Sequence, residues 1–350
     1  MSKSFRDYFV TVSATSALLS IGIFLEATEV LAASFSSISH IYAYGDSYSD
    51  NGVSFDISTA AIEAGIPDAF ILPADPALEL YDAEGRWTNG PTAVEVLAQE
   101  LQVELTDYAV GGAKSGSGNY YSWLDPFQDT GVLGQIEQFE TSLAGQSADP
   151  DALYFIFASA NDFFEYSDFG LPGTLEELTA DTVSNIKQSV SELAALGANQ
   201  FLVVNSSDLG ILPGTIEFGQ SDDASLFTDL VNSQLPEQLD ALSEQLGVEA
   251  VLYDHVAISD KIRSNPETFG LSNIDDPCQP IFPVEPLCSN HDAHYFWDEY
   301  HPTQRVHQIV GNDMAQFIGT NQAQSVPEPT AIGTLFAIGL LFGAIKKYRA

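Results

Sequence analysis

Between about residues 34 and 320, short apolar runs alternate with longer stretches of mixed polarity. The runs at 40–44, 104–110, 153–158, 200–205 and 250–254 have strand length and are rich in β-branched and aromatic residues. Two of them contain the unbroken apolar strings Leu153-Tyr154-Phe155-Ile156-Phe157 and Phe201-Leu202-Val203-Val204. Strict alternation marks a strand wet on one face, whereas an unbroken apolar string marks a strand covered on both. Between these runs lie helical patterns at 92–101, 175–196 and 227–246, long enough for right-handed crossovers between parallel neighbours. The pattern predicts an α/β fold, a parallel five-stranded sheet sandwiched between helices. No internal repeat or low-complexity linker divides this body, so a single domain over 34–325 is expected.

Polar and aromatic residues concentrate in the long segments that follow the strand ends, 53–90, 113–135, 160–174, 209–225 and 264–297. In open α/β sheets ligands bind at that carboxyl edge. The aromatics Tyr120, Tyr121, Trp123, Phe127, Phe163, Phe164 and Tyr166 are therefore expected either to line an acyl cleft there or to bury the insertions themselves.

Charge narrows the choice of partner. Against 49 Asp and Glu stand 11 Lys and Arg, a formal charge of -38, which repels a polyanion and excludes nucleic-acid binding. Lys3, Arg6, Lys346, Lys347 and Arg349 sit at the two ends and leave six basic residues for the body.

Those ends read as address labels. Lys3 and Arg6 precede an apolar run from Phe9 to about Leu25, and small residues around Ala32-Ala33 follow. Basic start, apolar middle and small-residue exit make 1–33 a secretory signal peptide, with a buried first helix as the alternative. At the other end Pro327-Glu328-Pro329 leads into an uncharged run, 330–345, closed by Lys346-Lys347-Tyr348-Arg349. As a helix that run spans about 24 Å, short of a typical hydrocarbon core yet within reach of a thin bilayer. The segment 326–350 resembles the PEP-CTERM sorting signals of exported Gram-negative proteins. That resemblance implies a short transmembrane segment, processing by an exosortase and delivery to the cell surface or extracellular matrix; an ordinary tail anchor is the alternative.

The two cysteines, Cys278 and Cys288, fall in the exported body, where an oxidising compartment favours a disulfide closing a short loop. The neighbouring Cys288, His291, Asp292 and His294 also permit a metal reading, although their spacing follows no recognised ligand pattern.

The candidate chemistry begins where the first strand ends, in Tyr44-Gly45-Asp46-Ser47-Tyr48-Ser49-Asp50. A glycine before a serine permits a tight exit that presents Oγ at the carboxyl edge. A nucleophilic serine needs a base, and the base needs an orienting acid. Of the six histidines only His301 has a carboxylate three positions earlier, Asp298, and Pro302 after it suits the first turn of a closing helix. Donors for a developing oxyanion are expected from Gly111-Gly112-Ala113 after the second strand and from Asn161, in Ala160-Asn161-Asp162, after the third. Each block alone is ordinary turn composition, but turns that arose independently have no reason to recur at successive strand ends.

As a set, Gly45-Asp46-Ser47, Gly111-Gly112-Ala113, Ala160-Asn161-Asp162 and Asp298-Glu299-Tyr300-His301 resemble the GDSL esterase/lipase family, also called SGNH hydrolases. The stretches Gly85-Arg86-Trp87-Thr88-Asn89-Gly90-Pro91 and Val203-Val204-Asn205-Ser206-Ser207-Asp208-Leu209-Gly210 also fit, and the similarity runs over roughly residues 38 to 320. The resemblance implies a flavodoxin-like three-layer α/β/α fold and ester hydrolysis through an acyl-enzyme, with no metal or organic cofactor. Carried over by position, it implies Ser47 as nucleophile, His301 as general base and then acid, and Asp298 as its orienting partner. The oxyanion hole would comprise the Ser47 N–H, the Gly112 N–H and the Asn161 side-chain amide. Two positions depart from the family pattern: Tyr48 stands where leucine is usual, and Ser159 where glycine is usual in the third block.

The function expected is an exported carboxylic-ester hydrolase acting on a lipid ester or an acylated glycan. A polysaccharide O-acetylesterase, or an inactive surface module binding glycan or protein on the same scaffold, are the competing readings.

Overall fold

The segment His40–Gly45 forms β1, and its buried positions set it inside a sheet. In this computed structural model, residue 35 and residues 37–324 are described. The expected signal peptide, 1–33, and the Pro-Glu-Pro tail, 326–350, lie outside the described residues, which belong to one compact unit. Among the described residues no helix is long and apolar enough to cross a membrane.

The remaining main-sheet strands are β2, Glu104–Asp107, β3, Leu153–Phe157, β4, Gln200–Val204, and β5, Glu249–Tyr253. All pair in parallel in the order β2-β1-β3-β4-β5. Every residue of β3 and β4 is buried, as their unbroken apolar strings require, while β2 and β5 form the wetter edges. This is the flavodoxin-like order, in which the direction of winding reverses between β1 and β3 and opens a crevice at their carboxyl ends.

The crossover helices include α2, Ala93–Leu101, α3, Val132–Ser142, α5, Leu175–Leu196, and α7, Ser221–Leu246. Capping boxes start two of them, Thr92 with Glu95 on α2 and Thr174 with Glu177 on α5, each satisfying amides that the first turn leaves free. On one side α5 packs against α7 and α3; on the other α2 packs against the closing helix α9, Gln304–Gln324.

The differences from the pattern are local. Strand β2 ends at Asp107 because that carboxylate accepts the N–H of Ala109 and Asn51 and turns the chain. Tyr108 and Val110 nevertheless donate to the carbonyls of Ala43 and Gly45, so the backbone stays beside β1 as far as the Gly111 loop. Helix α7 begins six residues before the expected 227, in a turn holding Asp222 and Asp223, where carboxylates favour the helix dipole but hide the apolar period. Two further helices, α1, Val53–Glu63, and α4, Ala160–Phe169, occupy segments read only as polar insertions. Beyond the short α6, Pro213–Glu217, and α8, His255–Ser264, a second sheet pairs β6, Asn273–Pro277, with β7, His294–Phe296.

Candidate active site

Four strand ends build the site, beginning with the exit from β1. Gly45 passes so close to Phe157 that a Cβ would collide with the Phe157 carbonyl. The fully buried Gln135 of α3 clamps this glycine at both groups, accepting its N–H (2.9 Å) and donating to its carbonyl (2.8 Å). The next carbonyl, of Asp46, accepts the N–H of both Ser49 and Asp50, a tight turn that sets Ser47 at its apex. Burial pushes the Asp46 carboxyl up to about 7, opposed by the hydrogen bond from the Tyr48 N–H.

His301 Nε2 lies 2.8 Å from Ser47 Oγ, and His301 Nδ1 lies 2.8 and 2.9 Å from the two oxygens of Asp298. Asp298 is fully buried and also accepts the N–H of Tyr300 (2.8 Å), the N–H of His301 (2.7 Å) and the Tyr81 hydroxyl (2.7 Å). Burial opposes its charged form, but the adjacent imidazole and these donors outweigh that cost and hold the carboxyl below its ordinary value. An ionised Asp298 requires hydrogen on Nδ1 and leaves the Nε2 lone pair facing the serine hydroxyl.

The loop carrying Asp298 and His301 is held on both sides. Trp297 N–H donates to the His301 carbonyl (2.7 Å), and Phe296 forms a bridge with Pro302. Pro302 therefore does not sit in the first turn of α9 as its sequence suggests; Thr303 caps that helix, its carbonyl accepting the His307 N–H. Glu299, also buried, accepts the N–H groups of Ile281 and Phe282, tying this loop to the segment between Cys278 and Cys288. Those cysteines are joined in a disulfide, which leaves no thiolate for a metal; His294 lies beside Cys288, while His291 contacts Asp292 and Asn89.

Opposite the imidazole lie the donors. Gly112 adopts φ 81°, and a Cβ there would collide with the Asn119 side chain. Neither its N–H nor that of Ser47 has an acceptor among the described residues. Asn161 stands in the first turn of α4 and donates one amide hydrogen to the Ala113 carbonyl (3.0 Å), which fixes the side chain while leaving its second hydrogen. Its neighbour Asp162 accepts the N–H and hydroxyl of Ser115, locking α4 to the Gly112 loop, and burial raises that carboxyl to about 6.

Ser47, His301, Gly112 and Asn161 share one cavity of about 720 Å³. Tyr120, Tyr121 and Phe164 line it, together with Tyr81, Trp87 and Tyr300. The other aromatics singled out in sequence lie elsewhere: Phe163 packs against Phe227 in the core, Trp123 against Phe70, and Phe127 and Tyr166 are absent from the wall. Such an arrangement supports acyl transfer, with a hydroxyl on a base, an orienting carboxylate and unpaired donors facing one apolar space.

Residues 41–314 match the GDSL-like lipase/acylhydrolase family. The chain belongs to that family. As a GDSL-family member it is a carboxylic ester hydrolase. A GDSL esterase/lipase of Arabidopsis thaliana is 23% identical over 341 residues, covering 81% of this chain and 87% of its own. The thermolabile hemolysin of Vibrio parahaemolyticus is 26% identical over 300 residues, covering 80% of this chain and 63% of its own. Among solved structures, the native aryl esterase of M. smegmatis superposes with a TM-score of 0.44 at 16% identity, covering 81% of this chain and 99% of its own.

Both departures of this GDSL-family chain are accommodated. Ser159 has φ -168°, outside the left-handed region that favours glycine, and its hydroxyl donates to Ser206 Oγ (2.9 Å). Tyr48 donates its hydroxyl to the Tyr300 carbonyl (2.8 Å) and lays its ring 5.9 Å from His301.

Supporting residues went unread in the sequence. Asp50 is fully buried and accepts from Ser54 Oγ, Trp87 Nε1 (3.1 Å) and Gly111 N–H (2.9 Å), joining the serine loop to the Gly112 loop. Trp87 in turn lies 5.4 Å from the His301 ring. Trp87 falls inside a stretch that carried the resemblance and Asp50 closes the run that presents Ser47, whereas Tyr81 and Gln135 stand in no motif.

Proposed function

We propose that the protein is an exported serine esterase that hydrolyses neutral esters bearing an apolar acyl group through an acyl-enzyme. The observation that carries this reading is the continuous line Ser47–His301–Asp298, with both heavy-atom gaps at 2.8 Å, opening into the aromatic cavity beside unpaired donors. Ser47 Oγ attacks the ester carbonyl carbon while its proton passes to His301 Nε2, and Asp298 steadies the imidazolium. The N–H groups of Ser47 and Gly112 and the Asn161 amide meet the oxyanion. The bond to the alcohol oxygen breaks as Nε2 returns the proton to it. Water then gives a proton to Nε2 and attacks the acyl-serine, and the acid departs as Ser47 is reprotonated.

Cavity size and lining support a substrate larger and more apolar than an acetyl ester, which would leave most of the space unfilled. The acidic body favours neutral over anionic esters. Export and surface delivery rest on the two terminal segments, with exosortase processing at the Pro-Glu-Pro motif. A fluorophosphonate should label the parent and spare Ser47→Ala; an unlabelled parent leaves the inactive binding module as the reading. In a panel of neutral esters from acetyl to long-chain, the optimum should lie beyond acetyl, and an acetyl optimum would make the protein an O-acetylesterase.

A further inference from the structure

Most large apolar side chains in the described residues are buried, yet four phenylalanines are exposed: Phe70 at 47%, Phe169 at 59%, Phe218 at 54% and Phe282 at 51%. They come from four separate segments, following β1, β3, β4 and β5. Phe70, Phe218 and Phe282 line the cavity that holds Ser47, and Phe169 packs 5.4 Å from Tyr120, another cavity residue. Four distant stretches of chain thus bring an exposed aromatic to the mouth of one cavity. Scattered apolar residues on a surface need no explanation, but a ring of them continuous with an apolar cavity marks an interaction surface.

The charge around the ring selects its partner. Asp168 lies on the cavity wall, accepting from Tyr120 and Gln220, and Glu165 is already paired with Lys114. No Lys or Arg is among the described residues that line this wall, and the nearby Lys114 is paired, so anionic headgroups meet repulsion from an acidic body. A zwitterionic headgroup carrying an outward ammonium fits both the Asp168 carboxylate and the aromatic faces.

We infer that the aromatic rim docks the enzyme on a zwitterionic lipid surface, so that an ester enters the cavity directly from the lipid phase. The inference rests on the esterase reading for what enters the cavity, but docking itself is measurable without turnover.

The test uses the full chain and phosphatidylcholine vesicles, with sedimentation as the readout. The apolar tail is common to parent and variant, so their difference reports the rim. Phe169 lies outside the cavity wall. Phe169→Ser should lower vesicle partitioning about tenfold, the effect of exposing roughly half a phenylalanine ring, with the rate on a soluble short-chain ester unchanged. Phe169→Trp should retain partitioning and add tryptophan emission that shifts to the blue when vesicles are added. Equal partitioning of Phe169→Ser and parent would overturn the proposal, as would tighter binding to phosphatidylglycerol vesicles or the absence of a blue shift. Concentration-dependent dimers abolished by Phe169→Ser would also overturn it, making a second copy the occupant. Loss of ester turnover in the parent would instead defeat the esterase reading, with the vesicle result standing by itself.

Discussion

Tyr81→Phe isolates one hydrogen bond with little change in shape. The Tyr81 hydroxyl donates to Asp298 Oδ2 at 2.7 Å from 217 positions away in sequence, and the ring, which also lines the cavity, remains in phenylalanine. A hydrogen bond to a buried charge contributes about 1.5–3 kcal/mol. Three donors remain on Asp298, the N–H groups of Tyr300 and His301 and the imidazole itself, so the lower end applies. The expected loss is about 1.5 kcal/mol of stability at pH 7 and about tenfold in kcat/KM. The sign of the pH effect follows from the charge. With one donor removed, the Asp298 carboxyl loses part of what holds it below its ordinary value, so its protonation, and the acid-side loss of kcat/KM that follows from it, moves to higher pH. The stability gap closes as pH falls through the Asp298 titration, because a protonated carboxyl no longer needs the donor. The assay is kcat/KM for a neutral chromogenic ester across pH, alongside denaturant unfolding. A kcat/KM within twofold of the parent at every pH would refute the reasoning.

Ser47→Ala should abolish ester turnover with the fold retained, and Asp298→Asn should cost less than His301→Ala, since the acid orients rather than transfers the proton; steady-state kinetics decide both. Reduction of Cys278–Cys288 should raise KM for long-chain esters before tryptophan fluorescence reports unfolding, because the bridged segment supplies Ile281 and Phe282 to the cavity wall and anchors on Glu299. His255→Phe should become progressively more stable than the parent as pH falls from 6.5 to 4. Burial holds His255 at about 4 and its Nδ1 has no hydrogen-bond partner among the described residues. The unfolded chain therefore takes up a proton that the fold refuses, at up to about 1.4 kcal/mol per pH unit, and thermal unfolding across that range measures the difference.

What the sequence determined was whatever depends on neighbours along the chain. The apolar strings of β3 and β4 declare themselves because burial on both faces needs no knowledge of which element does the covering. Asp298 and His301 are legible together because one short turn, with Asp298 accepting the N–H of His301, is enough to join them. The acidic composition is likewise a property of the chain itself.

The tertiary structure decided the rest, since those contacts depend on how remote elements pack. Phe163 and Phe164 are adjacent and alike, yet the rotation of α4 against its neighbours buries one beside Phe227 and turns the other into the cavity. Gln135 reaches Gly45 across 90 positions and Asp50 reaches Gly111 across 61, and no local propensity reports such pairings. The helical identity of α1 was hidden for a similar reason. Its buried positions, Ser54, Ser58 and Ala61, are small or polar, chosen for a close approach and the Asp50 network, so a reading based on apolar periodicity passes over them.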